Sequence, residues 1–137
     1  MIIKIKKLSP QAIVPKYSYQ DDAGLDVYAI SKKETDKYVE YGTGLSFEIP
    51  GGYVCLVFSR SSVSNKDLIQ ANCVGVLDSG YRGELILKFK KLGKEDYKIG
   101  DKVGQIIIIP YPKIEFEEVD ELSETHRGIG GFGSSGN

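Results

Sequence analysis

The sequence predicts an all-β domain of the sandwich, jelly-roll or barrel kind. Short runs of apolar or alternating residues recur along the chain, and turn signals rich in glycine, proline and aspartate separate them. The composition agrees with this class, because 16 glycines suit many tight turns and 9 tyrosines suit strands.

Eight strands are predicted from these runs. In chain order they are Ile2–Leu8, Gly24–Ile30, Gly44–Ile49, Tyr53–Phe58, Ile69–Leu77, Glu84–Leu92, Val103–Ile109 and Ile114–Val119. Each is bounded by turn residues, such as Ser9-Pro10 after the first and Pro50-Gly51-Gly52 after the third.

Three other segments complete the chain. Ser64–Asp67 (SNKD) has the pattern of a capping box before Leu68 and Ile69, which predicts one short helix. The charged run Lys32–Lys37 (KKETDK) predicts a solvated loop. From Ser123 onward the composition shifts to glycine and serine, which on its own predicts a floppy terminus.

Length and charge limit the possible functions. A chain of 137 residues fits one domain, and its 18 basic and 19 acidic residues give a formal charge of −1. A protein that wraps DNA or RNA normally has a basic excess, so nucleic-acid polymers are not expected partners. The longest apolar run, Ile106–Ile109, is too short to span a membrane, and MIIKIKKLSP does not read as a signal peptide. We therefore expect a cytoplasmic protein, with Cys55 and Cys73 as reduced packing residues.

The last segment, Arg127–Asn137 (RGIGGFGSSGN), has the glycine spacing G-x-G-x-x-G. A dinucleotide-binding interpretation fails, because no predicted strand precedes it and no helix follows. Glycines nevertheless let backbone N–H groups turn toward an anion, and Arg127 can add a bidentate contact. Phe132 can stack on a flat ring, and Ser134 and Ser135 can donate to phosphate oxygens. The segment therefore predicts a flap over a nucleotide.

Three more stretches are unusual for plain strands. Asp22–Asp26 (DAGLD) places two acids at a strand entry, which on its own is a common turn. Ser59–Ser62 (SRSS) puts an arginine and hydroxyls before the predicted helix, as an anion site or a simple N-cap does. Asn72–Gly83 reads as a β-hairpin with Asp78 and Tyr81 at its tip.

Together these stretches resemble the trimeric dUTPase family, whose members are recognised by five short motifs in fixed order. The matching segments are Ala23–Val27, Arg60–Ser62, Gly75–Gly83, Gly100–Gln105 and Arg127–Gly136. The resemblance covers the chain from about residue 20 to its end. It implies a distorted jelly roll or β-barrel with one short helix and a C-terminal arm. Residues 1–137 would then be a single domain, with a β core over about 1–122 and a lid arm over about 123–137.

The resemblance also implies a function, the hydrolysis of dUTP to dUMP and pyrophosphate. This reaction keeps uracil out of DNA and supplies dUMP for dTMP synthesis. Asp78 would be the catalytic residue that orients and helps deprotonate a water attacking the α-phosphorus. Tyr81 would pack on the deoxyribose and exclude a 2′-hydroxyl. Asn72 and the main chain of the hairpin would pair with the uracil edge.

The remaining implied roles concern phosphates, metal and assembly. Asp26 would hold Mg²⁺ through water, and Phe132 would stack on the uracil. The implied substrate-binding residues are Arg60, Ser61, Ser62, Asn72, Gly75, Tyr81, Gln105, Arg127, Phe132, Gly133, Ser134 and Ser135. The family's sites combine segments of three chains, which implies a homotrimer. The chain departs from the family's common residues at four positions. Ser59 stands where the family often has proline or glycine, Gly104 where alanine is common, Ser135 where threonine is common, and Gly80 where an acid is frequent.

Two alternatives stay open. A dCTP deaminase resembles dUTPase in fold, but its catalytic glutamate would fall on Lys88 and its second arginine on Asn65. A non-catalytic jelly-roll module that binds a ligand explains the strands but not the five motifs.

Overall fold

The computed structural model describes residues 1–134, and the predicted site residue Ser135 lies outside them. Ten strands form in this part of the chain. They are β1 (Lys4–Lys7), β2 (Leu25–Tyr28), β3 (Ser31–Glu34), β4 (Tyr38–Gly42), β5 (Leu45–Glu48), β6 (Tyr53–Phe58), β7 (Leu68–Gln70), β8 (Gly75–Leu77), β9 (Ile86–Lys91) and β10 (Lys102–Pro110). A 3₁₀ helix over Ser61–Asn65 is the one helical segment described. The predicted all-β fold of the distorted jelly-roll type is confirmed.

The strands form three sheets in which every pairing is antiparallel. β1 pairs with β5, and the two four-stranded sheets have the orders β2-β10-β6-β8 and β3-β4-β9-β7. Strands that follow one another in sequence therefore often lie in different sheets, and the loops between them cross from one sheet to the other.

The core lies between the sheets, and an aromatic cluster occupies part of it. Tyr41, Phe89 and Tyr97 are at most 3% exposed, and their ring centroids lie 5.9 to 6.1 Å apart. The Tyr41 hydroxyl donates to the Tyr97 carbonyl oxygen at 2.9 Å and accepts from the Tyr97 N–H at 3.1 Å. These bonds fix the loop before β10, because buried polar groups need partners.

The sequence missed β3 and β4. β4 has the alternating sequence YVEYG, and its inward residues Val39 and Tyr41 are fully buried. β3 falls in the charged run that predicted a loop. It is an edge strand whose Lys32 Nζ lies 2.7 Å from Asp96 Oδ2, and charged residues are common on edges because they oppose further pairing.

The predicted helix after Ser64 is wrong. Leu68 and Gln70 are buried while Ile69 is 52% exposed, so the residues alternate as in a strand, and they form β7. Asp67 does not cap a helix. Its Oδ2 accepts from the N–H groups of Lys94 and Glu95 at 2.9 and 3.0 Å instead.

Two predicted strands and one predicted hairpin also differ from the elements that the structure shows. Ile69–Leu77 is interrupted by a turn in which Cys73 has a positive φ of 57°. Asn72–Gly83 is not a paired hairpin, because β8 pairs with β6 and β9 pairs with β4 and β7. Ile114–Val119 forms no strand and is exposed, with Phe116 92% accessible.

The cysteine prediction holds for one residue. Cys55 is a buried free thiol, and burial raises its pKa to about 11. Cys73 is exposed, so the packing role expected for it is wrong. Within residues 1–134, no helical segment has the length and hydropathy that crossing a membrane requires.

Candidate active site

A polar cavity of about 390 Å³ brings together three of the sequence motifs. Asp26 reaches it from β2, Gln105 from β10, and Arg60 and Ser61 from the start of the 3₁₀ helix. The pairing of β2 with β10 sets Asp26 directly opposite Gln105, and Gln105 is in turn opposite Phe58 of β6. The sheet order therefore assembles residues that are far apart in sequence. Ser18, Tyr19, Asp22, Ala23 and Gly24 complete the lining.

Asp26 pairs with two cations, Arg60 in the lining of the polar cavity and Lys102 outside it. Arg60 Nε donates to Asp26 Oδ1 at 2.7 Å, and Lys102 Nζ lies 2.8 Å from Asp26 Oδ2. Burial raises the pKa of Asp26, but the hydrogen bonds and charges of Lys102 and Arg60 outweigh it, so the pKa lies below its ordinary value. Arg60 lines the cavity together with the carboxylates of Asp22 and Asp26, and its guanidinium is the group suited to phosphate oxygens.

Gln105 is fixed by close packing and by one hydrogen bond. Its Nε2 donates to the Ser59 carbonyl oxygen at 3.1 Å. Its side chain fills the space that a Cβ on Gly24 would occupy, so the glycine of the DAGLD segment allows this approach.

Ser62 points away from the polar cavity. Its Oγ lies 3.1 Å from the hydroxyl of the buried Tyr97 and accepts from Arg60 Nη1 at 3.3 Å. The structure thus places Ser62 as a support of Arg60. The resemblance had grouped it with the substrate-binding residues.

A second cavity of about 220 Å³, the Asn72 cavity, lies where the chain passes from β7 to β8. These strands belong to different sheets, so the exposed turn that carries Asn72 connects one sheet to the other. Asn72, Gly75 and Tyr81 line it together with Gln70 and the segment Glu84–Leu87. Val57, Val76 and Leu77 supply further apolar surface. The mixture of apolar walls with a few amide groups suits a small flat ring.

The loop from Asp78 to Glu84 is braced by its own hydrogen bonds. The Asp78 carbonyl oxygen accepts from the Tyr81 N–H at 3.0 Å, and Arg82 Nη1 donates to the Ser79 and Tyr81 carbonyl oxygens at 2.6 and 3.0 Å. The Tyr81 hydroxyl donates to the Glu84 carbonyl oxygen at 3.1 Å. Its ring lies over Gly83, where a Cβ would overlap it. Asp78 is exposed at the tip, directly after Leu77 of the Asn72 cavity.

The arm residues lie apart from both cavities. Arg127 Nε donates to the Gly130 carbonyl oxygen at 2.9 Å, and the Ser134 N–H donates to the Gly131 carbonyl oxygen. Phe132 is fully exposed with a φ of 51°, and the φ of Gly133 is 92°. In the single chain the described part of the arm, residues 123–134, folds on itself, and the structure does not bring it to Asp26 or Asn72.

Sequence reasoning missed Lys102 and Gln70. Lys102 lies in the GDKVGQ segment, three residues before the predicted site residue Gln105, and its proximity to Asp26 follows only from the pairing of β2 with β10. Gln70 had a signal, since a polar residue at a core position of an alternating run needs buried partners. It was overlooked because Leu68–Gln70 was split between a predicted helix and a predicted strand.

Comparison with known proteins identifies the family. The dUTPase family profile matches residues 10–136. Relatives named deoxyuridine 5′-triphosphate nucleotidohydrolase include one from Clostridium acetobutylicum, 40% identical over 139 residues that cover 98% of this chain and 96% of the relative. A second, from Helicobacter pylori, is 38% identical over 143 residues and covers 99% and 97%.

Solved structures give the same result. A dUTPase mutant of Staphylococcus bacteriophage 80alpha with dUpNHpp superimposes with a TM-score of 0.85 at 28% identity, covering 99% of both chains. A dUTPase mutant of phage phi11 of S. aureus, described with a structural Mg(II) ion, gives 0.75 at 27% identity over 88% of this chain and 98% of its own. A family profile over nearly the whole chain, relatives near 40% identity and a shared fold leave one conclusion: the chain belongs to the dUTPase family.

Proposed function

We propose that this protein hydrolyses dUTP to dUMP and pyrophosphate. The observation that carries the proposal is the sorting of the motif residues into two cavities. Side chains suited to phosphates converge on the polar cavity, and side chains suited to a base and sugar line the Asn72 cavity. Family membership and the names of the relatives support the same substrate.

Asp78 is the residue proposed to activate water. Its carboxylate orients a water molecule and takes a proton from it as the oxygen attacks the α-phosphorus. The bond from the α-phosphorus to the oxygen that bridges to the β-phosphate breaks, and pyrophosphate leaves with that oxygen. Exposure of Asp78 in the single chain is consistent with a site that is completed by other segments.

The polar cavity is proposed to hold the triphosphate. Arg60, Ser61 and Gln105 donate to phosphate oxygens, and the guanidinium of Arg60 supplies the positive charge among these donors. Asp26 keeps Arg60 Nε aimed along the cavity wall.

The residues fit Mg²⁺ only as an ion that arrives with the substrate. Within residues 1–134, no group of three His, Cys, Asp or Glu side chains could chelate a metal. Asp26 stands between two cations, so it would contact the ion through water, as Mg²⁺ commonly permits. When bound, Mg²⁺ neutralises charge on the phosphates and the leaving group.

The Asn72 cavity is proposed to hold the deoxyuridine. Asn72 and the main chain at Gly75 meet the uracil edge. Tyr81, fixed by its hydrogen bond to Glu84, packs on the sugar, where a 2′-hydroxyl would have no room.

A homotrimer with shared sites is proposed to bring the two cavities together. They have no lining residue in common, although one dUTP molecule must meet both sets of side chains. In this proposal one domain consists of a β core over about 1–122 and an arm over about 123–137. The arm closes over the nucleotide of another subunit, with Phe132 on the base and Arg127, Gly133, Ser134 and Ser135 at the phosphates. Closure excludes water from the reacting phosphate.

Deamination of dCTP is disfavoured by the position of Lys88. Its Nζ lies 2.9 Å from Glu40 Oε1 and 3.9 Å from the centroid of the Tyr38 ring. It is thus engaged on the outer face of the β3-β4-β9-β7 sheet and does not line the Asn72 cavity.

A substrate panel tests the proposal. The full chain is incubated with dUTP, UTP, dCTP or dTTP in the presence of Mg²⁺, with release of pyrophosphate and of ammonia measured in parallel. We expect pyrophosphate from dUTP alone. Ammonia from dCTP would establish the deaminase instead, and no product from any nucleotide would favour a non-catalytic binding module.

A further inference from the structure

Gln70 is a buried polar side chain that has no assigned role in substrate binding or in the proposed reaction. It ends β7, is 5% exposed, and lines the Asn72 cavity. A buried amide has one acceptor oxygen and two donor hydrogens, and each left unpaired would destabilise the fold. Its partners therefore define how the amide is turned.

The orientation of the Gln70 amide is set by a backbone carbonyl. One end of the amide lies 3.1 Å from the Val57 carbonyl oxygen, which can only accept, so this end is the nitrogen Nε2. The other end, Oε1, accepts from the Ser59 hydroxyl at 2.9 Å. Ser59 stands where the family often has proline or glycine. Its hydroxyl supplies a side-chain hydrogen bond that neither of those residues can make.

The fixed Gln70 amide in turn sets the orientation of Asn72. Gln70 Nε2 has a second hydrogen, which it donates to the side-chain oxygen of Asn72. The distance from Nε2 to Asn72 Oδ1 is 3.3 Å. Because that oxygen accepts from Gln70, the Asn72 nitrogen Nδ2 is turned the other way. It lies along Gly75 in the cavity wall, 3.4 Å from where a Gly75 Cβ would stand.

The direction of this amide matters for the base. A nitrogen donor facing the cavity can pair with a ring carbonyl oxygen but not with an exocyclic amino group, which is itself a donor. If Asn72 were free to rotate, its oxygen could accept from the amino group of cytosine equally well. The discrimination therefore depends on the group that prevents rotation.

We propose that Gln70, oriented by the Val57 carbonyl and the Ser59 hydroxyl, is a positioning residue that holds the Asn72 amide nitrogen toward the base and so selects a carbonyl-bearing pyrimidine over an amino-bearing one. This inference rests on the proposed hydrolysis of dUTP. It adds two residues outside the recognised motif roles and ties the SRSS segment to base selection.

The test compares kcat and KM for dUTP and dCTP in the full-length wild type and in Gln70→Met. Methionine keeps the length and burial of the side chain but not its hydrogen bonds. We expect KM for dUTP to rise about tenfold with kcat little changed, the loss of roughly one well-placed hydrogen bond. The preference for dUTP over dCTP, as a ratio of kcat/KM values, should fall by a similar factor.

Two companion variants separate positioning from packing. Leu68→Val shortens another buried side chain of β7 and should keep the wild-type preference, so an equal loss of preference there would overturn the proposal. Ser59→Ala removes only the bond to Gln70 Oε1, and it should lower the preference in the same direction by less. Ser59→Ala also tests the proposal if the Gln70→Met protein does not fold.

The outcomes separate the inference from the function on which it rests. Wild-type preference in Gln70→Met and in Ser59→Ala, with dUTP hydrolysis intact, would overturn the role of Gln70 alone. Failure of the wild type to hydrolyse dUTP would overturn the proposed function, and the inference with it.

Discussion

Asp78 is the single residue whose replacement is expected to affect the chemistry most directly. In Asp78→Asn the amide cannot accept the proton of the attacking water. We expect kcat for dUTP to fall by about 10²- to 10⁴-fold, the usual contribution of a positioned general base. Binding should persist, because Asp78 is exposed and the turn to Tyr81 is closed by its main-chain carbonyl. Steady-state kinetics and calorimetric titration with a non-hydrolysable dUTP analogue measure the two quantities.

A matched control for this substitution is Asp36→Asn. Asp36 is also exposed, in the turn between β3 and β4, and lines neither cavity. It should retain wild-type turnover. If Asp78→Asn kept most of the wild-type rate, the water-activating role would have to move to another residue.

Asp26 gives the residue-scale prediction for pH. Its pKa is lowered in the folded chain, despite an opposing effect of burial, by its bonds to Lys102 and Arg60. A lowered pKa adds stability above the unfolded-state pKa, and this stability is lost as the pH falls through the folded-state value. The Tm difference between the wild type and Asp26→Asn should therefore be largest near neutrality and shrink below about pH 4. Thermal unfolding across that range measures it, and a difference independent of pH would contradict the pairing.

At the scale of elements, β10 depends on the absence of a side chain at Gly104. A Cβ there would stand 2.9 Å from the Phe58 carbonyl oxygen and would overlap the Leu87 side chain. The alanine common in the family is therefore too large for this packing. We expect Gly104→Ala to destabilise the fold by roughly 1–3 kcal/mol, as overpacking of a core does. Urea unfolding measures the change.

Gly51→Ala is the control for that substitution, since nothing lies within 4 Å of a Cβ at this position. Its stability should differ little from the wild type. An equally stable Gly104→Ala protein would show that β6 and β9 can move apart without cost.

The elements also show how far the sequence alone could go. β6 was predicted with its observed bounds, Tyr53–Phe58, because a strand with neighbours on both sides carries its signal in its own apolar residues. Ile114–Val119 (IEFEEV) has apolar residues alternating with glutamates at its start yet forms no strand, since a strand also needs a partner edge that sequence does not specify. The same limit applies to the site. Motif order identified Asp26 and Arg60, but their 2.7 Å contact depends on long-range register.

At the scale of the whole molecule, the separation of the two cavities has a direct consequence. Asp78 adjoins the Asn72 cavity and Arg60 lines the polar cavity, and the two cavities share no residue. Suppose that each site joins the Asn72 cavity of one subunit to the polar cavity of another. A trimer that mixes two variants, each mutated at a different cavity, can then contain a site in which both cavities are unmutated. Equal amounts of Asp78→Asn and Arg60→Gln chains, each nearly inactive alone, should regain activity when refolded together. With random mixing, up to about a quarter of the sites would be intact.

The matched control mixes Asp78→Asn with Tyr81→Ala. Both defects adjoin the Asn72 cavity, so every subunit supplies a damaged half and no mixed trimer contains an intact site. Activity is measured as pyrophosphate release from dUTP after co-refolding, with each variant refolded alone for comparison. Recovery in the first mixture but not in the second is the expected result, because only the first can restore Asp78 and Arg60 to one site. Absence of recovery in a mixture shown by light scattering to be trimeric would mean that each chain brings its own two cavities together, and the shared-site assembly would be wrong.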